Sequence, residues 1–257
     1  YTNNALSKKS SNTGNYIIFN RKNKDIQETM ESIKNQNKEI ETSQAKALIK
    51  TDIIKIIDKI SMDTVNLTDI RDKALILLGF YSFCRRSEIL NLKYNDLEFD
   101  KEDIYLNIRY SKTDKSGKGR KVFIPFKNDN YCPVTALKNW LSLAQIKSGP
   151  LFYKIIKSNK KDDFKRIEKY TLNEKNKVVS LSDTSFNTIL KNRAFDAGYD
   201  KENISGHSLR RGAITEAKRL NIPIESIQAQ SGHASIEMIY RYTEKENLRE
   251  VSAAKKL

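Results

Sequence analysis

The sequence predicts a mostly α fold, formally α+β, in which helices surround a small antiparallel sheet or β-hairpin. Three observations predict it. Glycine (9 residues) and proline (4) are scarce in a chain of 257, so regular elements meet few interruptions. Most apolar residues recur at helical spacing. Alternation of apolar and polar residues marks Ile104, Leu106 and Ile108, then Val122 and Ile124, with a basic, glycine-containing stretch between them.

Residues 1–44 are polar, rich in Asn, Ser and Lys, with little periodicity, and read as a linker or the remnant of a preceding domain. The folded domain is expected to span 45–257. Ile53, Ile54, Ile56, Ile57 and Ile60 mark one face of a helix that Thr51 or Asp52 would cap. Thr68 would cap a second helix through Leu75, Leu78 and Tyr81, which breaks near Phe83. A short helix follows, with the pair Arg85-Arg86 at its start. The hairpin comes next, its connection over 111–121 long, mobile and cationic. Pro133 takes the first turn of a helix that buries Leu137, Trp140, Leu141 and Ala144. A charged insertion over 157–177 shows no clear pattern. Ser182 caps a helix with Phe186, Ile189, Leu190 and Ala194 inside and Gly198 as its stop signal. The rest is predicted helical: about 208–220, a helix opened by Pro223, a turn at Gly232, a helix through Met238 and Tyr242, and a charged helical tail.

Charge narrows the function. The chain carries 47 Lys plus Arg against 32 Asp plus Glu, a formal net charge of +15, which points to a polyanionic partner. Nucleic acid is the commonest such partner; membrane phosphate and plain solvated lysines remain open on charge alone. Basic residues cluster at 112–121 and 154–177, two patches that suit a groove following a phosphate backbone. Two cysteines, Cys84 and Cys132, and two histidines provide neither a disulfide framework nor a zinc site, so no metal and a reducing cytoplasm are expected. No apolar run approaches the roughly 20 residues of a membrane span. An opening at Tyr1, without Met or a signal-peptide pattern, is expected of a fragment or a processed chain.

Both histidines lie near the end of the chain, His207 in Gly206-His207-Ser208-Leu209-Arg210 and His233 in Ser231-Gly232-His233. On a helix, His207 and Arg210 are i and i+3 and share a face, so both can address one oxyanion. Tyr242 follows His233 by nine residues. Together with Arg85-x-Ser87-Glu88-Ile89 and Ser111-Lys112-Thr113, these segments resemble, in order, the motifs of the tyrosine recombinases or phage-type integrases. The flanks Cys132-Pro133-Val134-x-Ala136-Leu137 and Gly149-Pro150-Leu151-Phe152 resemble the plasmid- and phage-borne branch of that family.

The resemblance implies a site-specific recombinase that cleaves and rejoins DNA through a 3′-phosphotyrosyl intermediate. It assigns Arg85 and Arg210 to the non-bridging phosphate oxygens, because a planar, permanently charged guanidinium can grip an oxyanion with two parallel hydrogen bonds. His233 would donate to a non-bridging oxygen, and His207 would position the phosphate or accept the attacking proton. Tyr242 would be the nucleophile; its phenol, with an ordinary pKa of about 10, needs a base or nearby cations to attack at neutral pH. Lys112 would protonate the departing 5′ oxygen. Bond energy stays in the covalent intermediate, so neither ATP nor a metal is needed, and no cofactor is expected.

The implied partners are double-stranded DNA and further copies of the chain, in a tetramer at synapsis, with Glu244 to Leu257 packing on a neighbour. The implied location is cytoplasmic and nucleoid-associated. In the same family an N-terminal core-binding domain of about a hundred residues precedes this one, more than residues 1–44 hold. Arg86 competes with Arg85, Arg211 with Arg210, Tyr240 with Tyr242, and Lys115 and Lys118 with Lys112; motif spacing favours the first-named set. Two other functions compete: a catalytically silent DNA-binding relative, against which the complete residue set argues, and a type IB topoisomerase, against which the His233 to Tyr242 spacing argues.

Overall fold

The computed structural model describes residues 24–36, 45–60, 66–109, 117, 119–156, 169–170 and 178–240. The chain divides into two compact units, 1–44 and 45–257. The first contributes one helix, α1 (Lys24–Gln36). Its apolar residues Ile26, Met30 and Ile33 stand at helical spacing, a weak signal in a segment that otherwise reads as linker.

The second unit holds α2 (Lys50–Asp58), α3 (Leu67–Tyr81), α4 (Arg86–Asn91), β1 (Leu97–Asp100), β2 (Asp103–Ile108), β3 (Arg120–Ile124), α5 (Pro133–Leu143), the strand pair β4 (Ile155–Ile156) and β5 (Lys169–Tyr170), α6 (Asp183–Asp196), α7 (His207–Arg219), α8 (Ile224–Ser231) and α9 (Ile236–Tyr240). The sheet β1-β2-β3 is antiparallel, with Ile104 opposite Ile124 and Leu106 opposite both Leu97 and Val122. Its inner face presents Ile104, Leu106, Ile108, Val122 and Ile124, all buried. The hairpin expected from alternation is therefore two strands of a three-stranded sheet. The added strand, β1, escapes the pattern because most of its residues are exposed and it buries no alternating face.

Helix α3 is the central element. From Ala74 to Phe80 every residue is buried, which requires neighbours on all sides. α5 packs along it, with Trp140 and Leu137 fully buried and the Trp140 indole N–H donating to the Leu151 carbonyl at 2.8 Å. α7 crosses it where Gly79 admits the Leu209 side chain: a Cβ on Gly79 would lie 2.7 Å from Leu209 Cδ1. A smaller core of Ile214, Ala217, Ile227 and Ile239 ties α7, α8 and α9 together. Asp72, buried on α3, accepts from Arg71 and Arg193, so a paired charge joins α3 to α6.

Several helix starts differ from expectation. α2 begins after Ile49, and Asp52, three residues on, accepts from the Ile49 N–H at 3.0 Å instead of capping from outside. α3 is capped by Asn66, whose side chain accepts from the Thr68 N–H, so Thr68 is the recipient of the cap and not its source. The start of α5 with Pro133, the Ser182 cap of α6 and the Gly198 stop agree with the sequence pattern, although Ile189 is only half-buried. The tail 241–257 and most of the insertion 157–177 lie outside the described residues.

Candidate active site

The ends of α3, α4, α7 and α8 meet around one turn. α3 stops at Tyr81, and the Ser82 hydroxyl accepts from the Cys84 N–H at 3.2 Å. Between them Phe83 adopts φ 57, a left-handed conformation that points its carbonyl away from the helix direction and toward α7. Arg85 then serves as the N-cap residue of α4, and its backbone N–H donates to the Glu88 carboxylate at 2.8 Å.

Arg210, on α7, is only 2% exposed. One of its terminal nitrogens donates to both the Phe83 and Ser231 carbonyls at 2.7 Å, and the other meets His233 Nε2 at 2.8 Å. A guanidinium can only donate, so Nε2 is the acceptor. The imidazole proton then sits on Nδ1 and donates to Ser231 Oγ, 2.8 Å away. His233 is 5% exposed, and burial, reinforced by the positive charges of Arg210, Arg85 and Arg120, pushes its pKa down to about 3. It is neutral at physiological pH.

Arg85 approaches the same turn from the other side. Its guanidinium donates to Glu88 at 3.0 Å and reaches the Gly232 carbonyl at 3.5 Å. Gly232 ends α8 at φ 67, a conformation that glycine adopts freely, and so turns the chain sharply enough to aim His233 back at Arg210. His207, the first residue of α7, is exposed, and its N–H donates to Ser205 Oγ at 3.2 Å. Desolvation and the charges of Arg86, Arg210 and Arg85 hold its pKa below the usual histidine value.

The rival arginines are engaged elsewhere. Arg86 donates to Asp183 and Asn187 on α6 at 3.0 Å each, and Arg211 donates to the Ala45 carbonyl at 2.8 Å. Tyr240, the rival tyrosine, carries Lys218 Nζ 4.7 Å from its ring centroid. Lys112 and Tyr242 lie outside the described residues, as do Lys115 and Lys118. The structure thus places Arg210 in direct contact with His233 and Arg85 at the adjacent Gly232 carbonyl, with His207 in the electrostatic field of both arginines.

The Glu88 carboxylate lies beneath these arginines, 3% exposed. One residue of the cluster, Arg120, is absent from the sequence-based set. That residue opens β3 and grips Glu88 with two hydrogen bonds of 3.0 and 2.8 Å. The signal existed: Arg120 has the same parity as Val122 and Ile124, the buried positions of its strand, so its side chain must point inward. Cys84, buried beside Arg120, has a thiol pushed up to about 11 by desolvation, which leaves it an unreactive packing residue. Among the described residues no cluster of three or more histidine, cysteine, aspartate or glutamate side chains is placed to hold a metal ion, and no helix is long and apolar enough to cross a membrane.

The arrangement can bind an oxyanion. Its donors come from separate elements and are positioned before any ligand arrives, and a neutral imidazole stands among them. Comparison with known proteins gives the family. Residues 38–249 match the model of the Phage integrase family. The chain is 37% identical over 187 residues to an integrase/recombinase xerD homolog of Selenomonas ruminantium, covering 72% of this chain and 50% of that protein. It is 29% identical over 208 residues to the tyrosine recombinase XerA of Pyrococcus furiosus, covering 81% of this chain and 60% of the relative. The chain therefore spans between half and three fifths of the length of these curated relatives.

Among solved structures, the XerH site-specific recombinase bound to palindromic difH substrate, a post-cleavage complex, superposes with TM-score 0.60 at 20% identity, over 82% of this chain and 52% of that one. The XerA recombinase gives TM-score 0.57 at 21% identity, over 84% and 66%. At these identities the likeness is one of fold.

Proposed function

The chain belongs to the phage integrase family, and on that premise we propose that it is the catalytic domain of a site-specific recombinase that cleaves and rejoins DNA strands through a 3′-phosphotyrosyl intermediate. The observation that carries the reading is the convergence of Arg85 and Arg210 on the turn Ser231-Gly232-His233. A phosphodiester gains negative charge on its non-bridging oxygens as it is attacked, and two guanidiniums already gathered at one turn stabilise that charge with only local exchange of hydrogen bonds.

In this reading the Tyr242 oxygen attacks phosphorus, the bond to the 5′ oxygen breaks, and Lys112 delivers a proton to the departing oxygen. His207 positions the phosphate or accepts the tyrosine proton. The 5′ hydroxyl of a second strand reverses the step on a new partner. The cations that hold the phosphate also favour the phenolate form of Tyr242. Synapsis pairs two duplexes in a tetramer, with the tail 244–257 exchanged between neighbours, and the protein works in the cytoplasm on the nucleoid. Basic patches, and relatives named integrase/recombinase and tyrosine recombinase, support the DNA partner. The complete residue set disfavours a silent binding relative.

The test is covalent trapping. A duplex enriched by the intact protein from a randomised pool, nicked at successive positions so that the cleaved strand diffuses away, should yield a protein–DNA adduct. Tyr242→Phe should abolish the adduct and retain DNA binding. An adduct from that variant, or loss confined to Tyr240→Phe, would show the nucleophile to be another residue.

A further inference from the structure

Arg120 has the placement of a residue selected for more than solubility. It points from β3 into the protein, and its side chain is 17% exposed. Its two terminal nitrogens fork onto the two oxygens of Glu88. Arg85 takes the same two oxygens, one through its guanidinium at 3.0 Å and one through its backbone N–H at 2.8 Å. A carboxylate has about four lone-pair positions, and the two arginines direct four donors at them.

The Arg120 guanidinium also lies against the catalytic turn. A Cβ on Gly232 would sit 2.7 Å from Arg120 Cζ and 2.8 Å from its Nε, and that Nε is buried without a hydrogen-bond partner. A buried guanidinium that leaves one N–H unsatisfied is held there by its other contacts. It forms the floor under Gly232, between the carboxylate below and His233 beside it.

We infer that Arg120 is a positioning residue for strand cleavage, acting through Glu88 and the Gly232 turn. This rests on the strand-cleavage reading above. The physical argument concerns charge. A buried carboxylate draws whichever guanidinium is nearest into a full ion pair. With Arg120 in place, Glu88 takes a forked ion pair from below, and the Arg85 guanidinium, which also donates to it, reaches the Gly232 carbonyl with both terminal nitrogens. Without Arg120, Glu88 loses its forked partner and draws Arg85, which rotates onto the carboxylate and is misaligned for a phosphate.

The experiment compares Arg120→Met, Glu88→Gln and the double variant in the intact protein, with the nicked duplex described above. The readouts are the single-turnover rate of adduct formation at saturating DNA, and DNA affinity measured separately. Arg120→Met should slow adduct formation about 10- to 100-fold, because misplacing a phosphate ligand by about 1 Å has effects of that order, while affinity, spread over many phosphates, should hold. Adding Glu88→Gln should restore most of the rate, since an uncharged amide has no claim on Arg85. If Arg120→Met does not fold, Arg120→Gln with and without Glu88→Gln carries the same comparison, because glutamine keeps a polar side chain and loses the charge that competes for Glu88.

Unimpaired cleavage by Arg120→Met overturns the inference. So does a loss that Glu88→Gln fails to restore, which would make Arg120 a direct DNA ligand or a packing residue. Absence of any adduct from the wild type overturns the strand-cleavage reading itself, and the inference falls with it.

Discussion

Arg210 donates a hydrogen bond to Nε2 of His233 at 2.8 Å, and this one contact sets the protonation state of the candidate site. The nitrogen that a phosphate would need as a donor is an acceptor in the DNA-free protein. An anion drawing the Arg210 N–H to itself frees Nε2 and at the same time supplies the negative charge that favours protonating it.

That relationship predicts a titration. With its pKa depressed to about 3, the His233 imidazole should show no chemical-shift change between pH 8 and pH 5 in the free protein. The chain has only two histidines, so each resonance can be assigned by a single substitution. The folded pKa lies below the unfolded value of about 6.5, so the unfolded state binds the extra proton. Stability should therefore fall as pH drops from about 6.5 toward 3, by at most about 1.4 kcal/mol per pH unit from this residue. Cognate DNA should shift the titration upward. A midpoint near 6.5 for His233 in the free protein would contradict the buried, neutral assignment.

The engaged arginines predict which substitutions touch the chemistry. Arg85→Lys and Arg210→Lys should each slow adduct formation by about 100- to 1,000-fold at nearly unchanged DNA affinity, because the point charge survives and the planar grip does not. Arg86→Lys and Arg211→Lys should instead lower the melting temperature, since they loosen contacts with Asp183 and Ala45, and should leave the rate within a few-fold. A reversal of the two pairs would move the register by one.

Leaving-group protonation can be isolated chemically. Lys112→Ala should block cleavage of ordinary DNA and recover on a substrate with a 5′-bridging phosphorothiolate, whose thiolate departs without a proton. The same substrate should not rescue Tyr242→Phe. Rescue confined to Lys115→Ala or Lys118→Ala would identify a different lysine as the acid.

Gly212 allows the segment before α2 to lie directly on α7. The Leu48 N–H donates to the Ser208 carbonyl at 3.0 Å, and a Cβ on Gly212 would fall 1.7 Å from the Leu48 oxygen. Backbone cannot be pushed aside like a side-chain tip. Gly212→Ala should cost about 3 kcal/mol in urea denaturation, and a loss under about 0.5 kcal/mol, the range of surface substitutions, would mean the segment lifts away freely.

Much of this was legible in the sequence because it depends on local pattern. Pro133 and Ser182 mark helix starts by backbone chemistry that needs no tertiary partner, and Trp140 reads as core from its place among Leu137, Leu141 and Ala144. Motif spacing favours Arg85 and Arg210 over their neighbours, and these two reach the Gly232 turn while Arg86 and Arg211 bond elsewhere. Caps were harder: Asn66 and Thr68 are both capable acceptors, and only the chain direction at Leu67 decides between them. The tautomer of His233 was not legible, since it depends on Arg210 arriving from another helix. Arg120 was hidden by its company, one cation among several over 112–121, where counting charge obscures strand parity.

The sheet has an open side along β3, and the helix that leads to His233 also guards it. Gln230 of α8 donates its amide to the Phe123 carbonyl at 3.0 Å, while Pro125, just past the strand, has no N–H to offer a stranger. An exposed strand edge recruits other chains, and Phe123, 40% exposed, would reward them. Damage to α8 therefore threatens colloidal behaviour as well as chemistry: a chain whose last helices come loose uncovers an adhesive border, and its first symptom in the test tube would be turbidity.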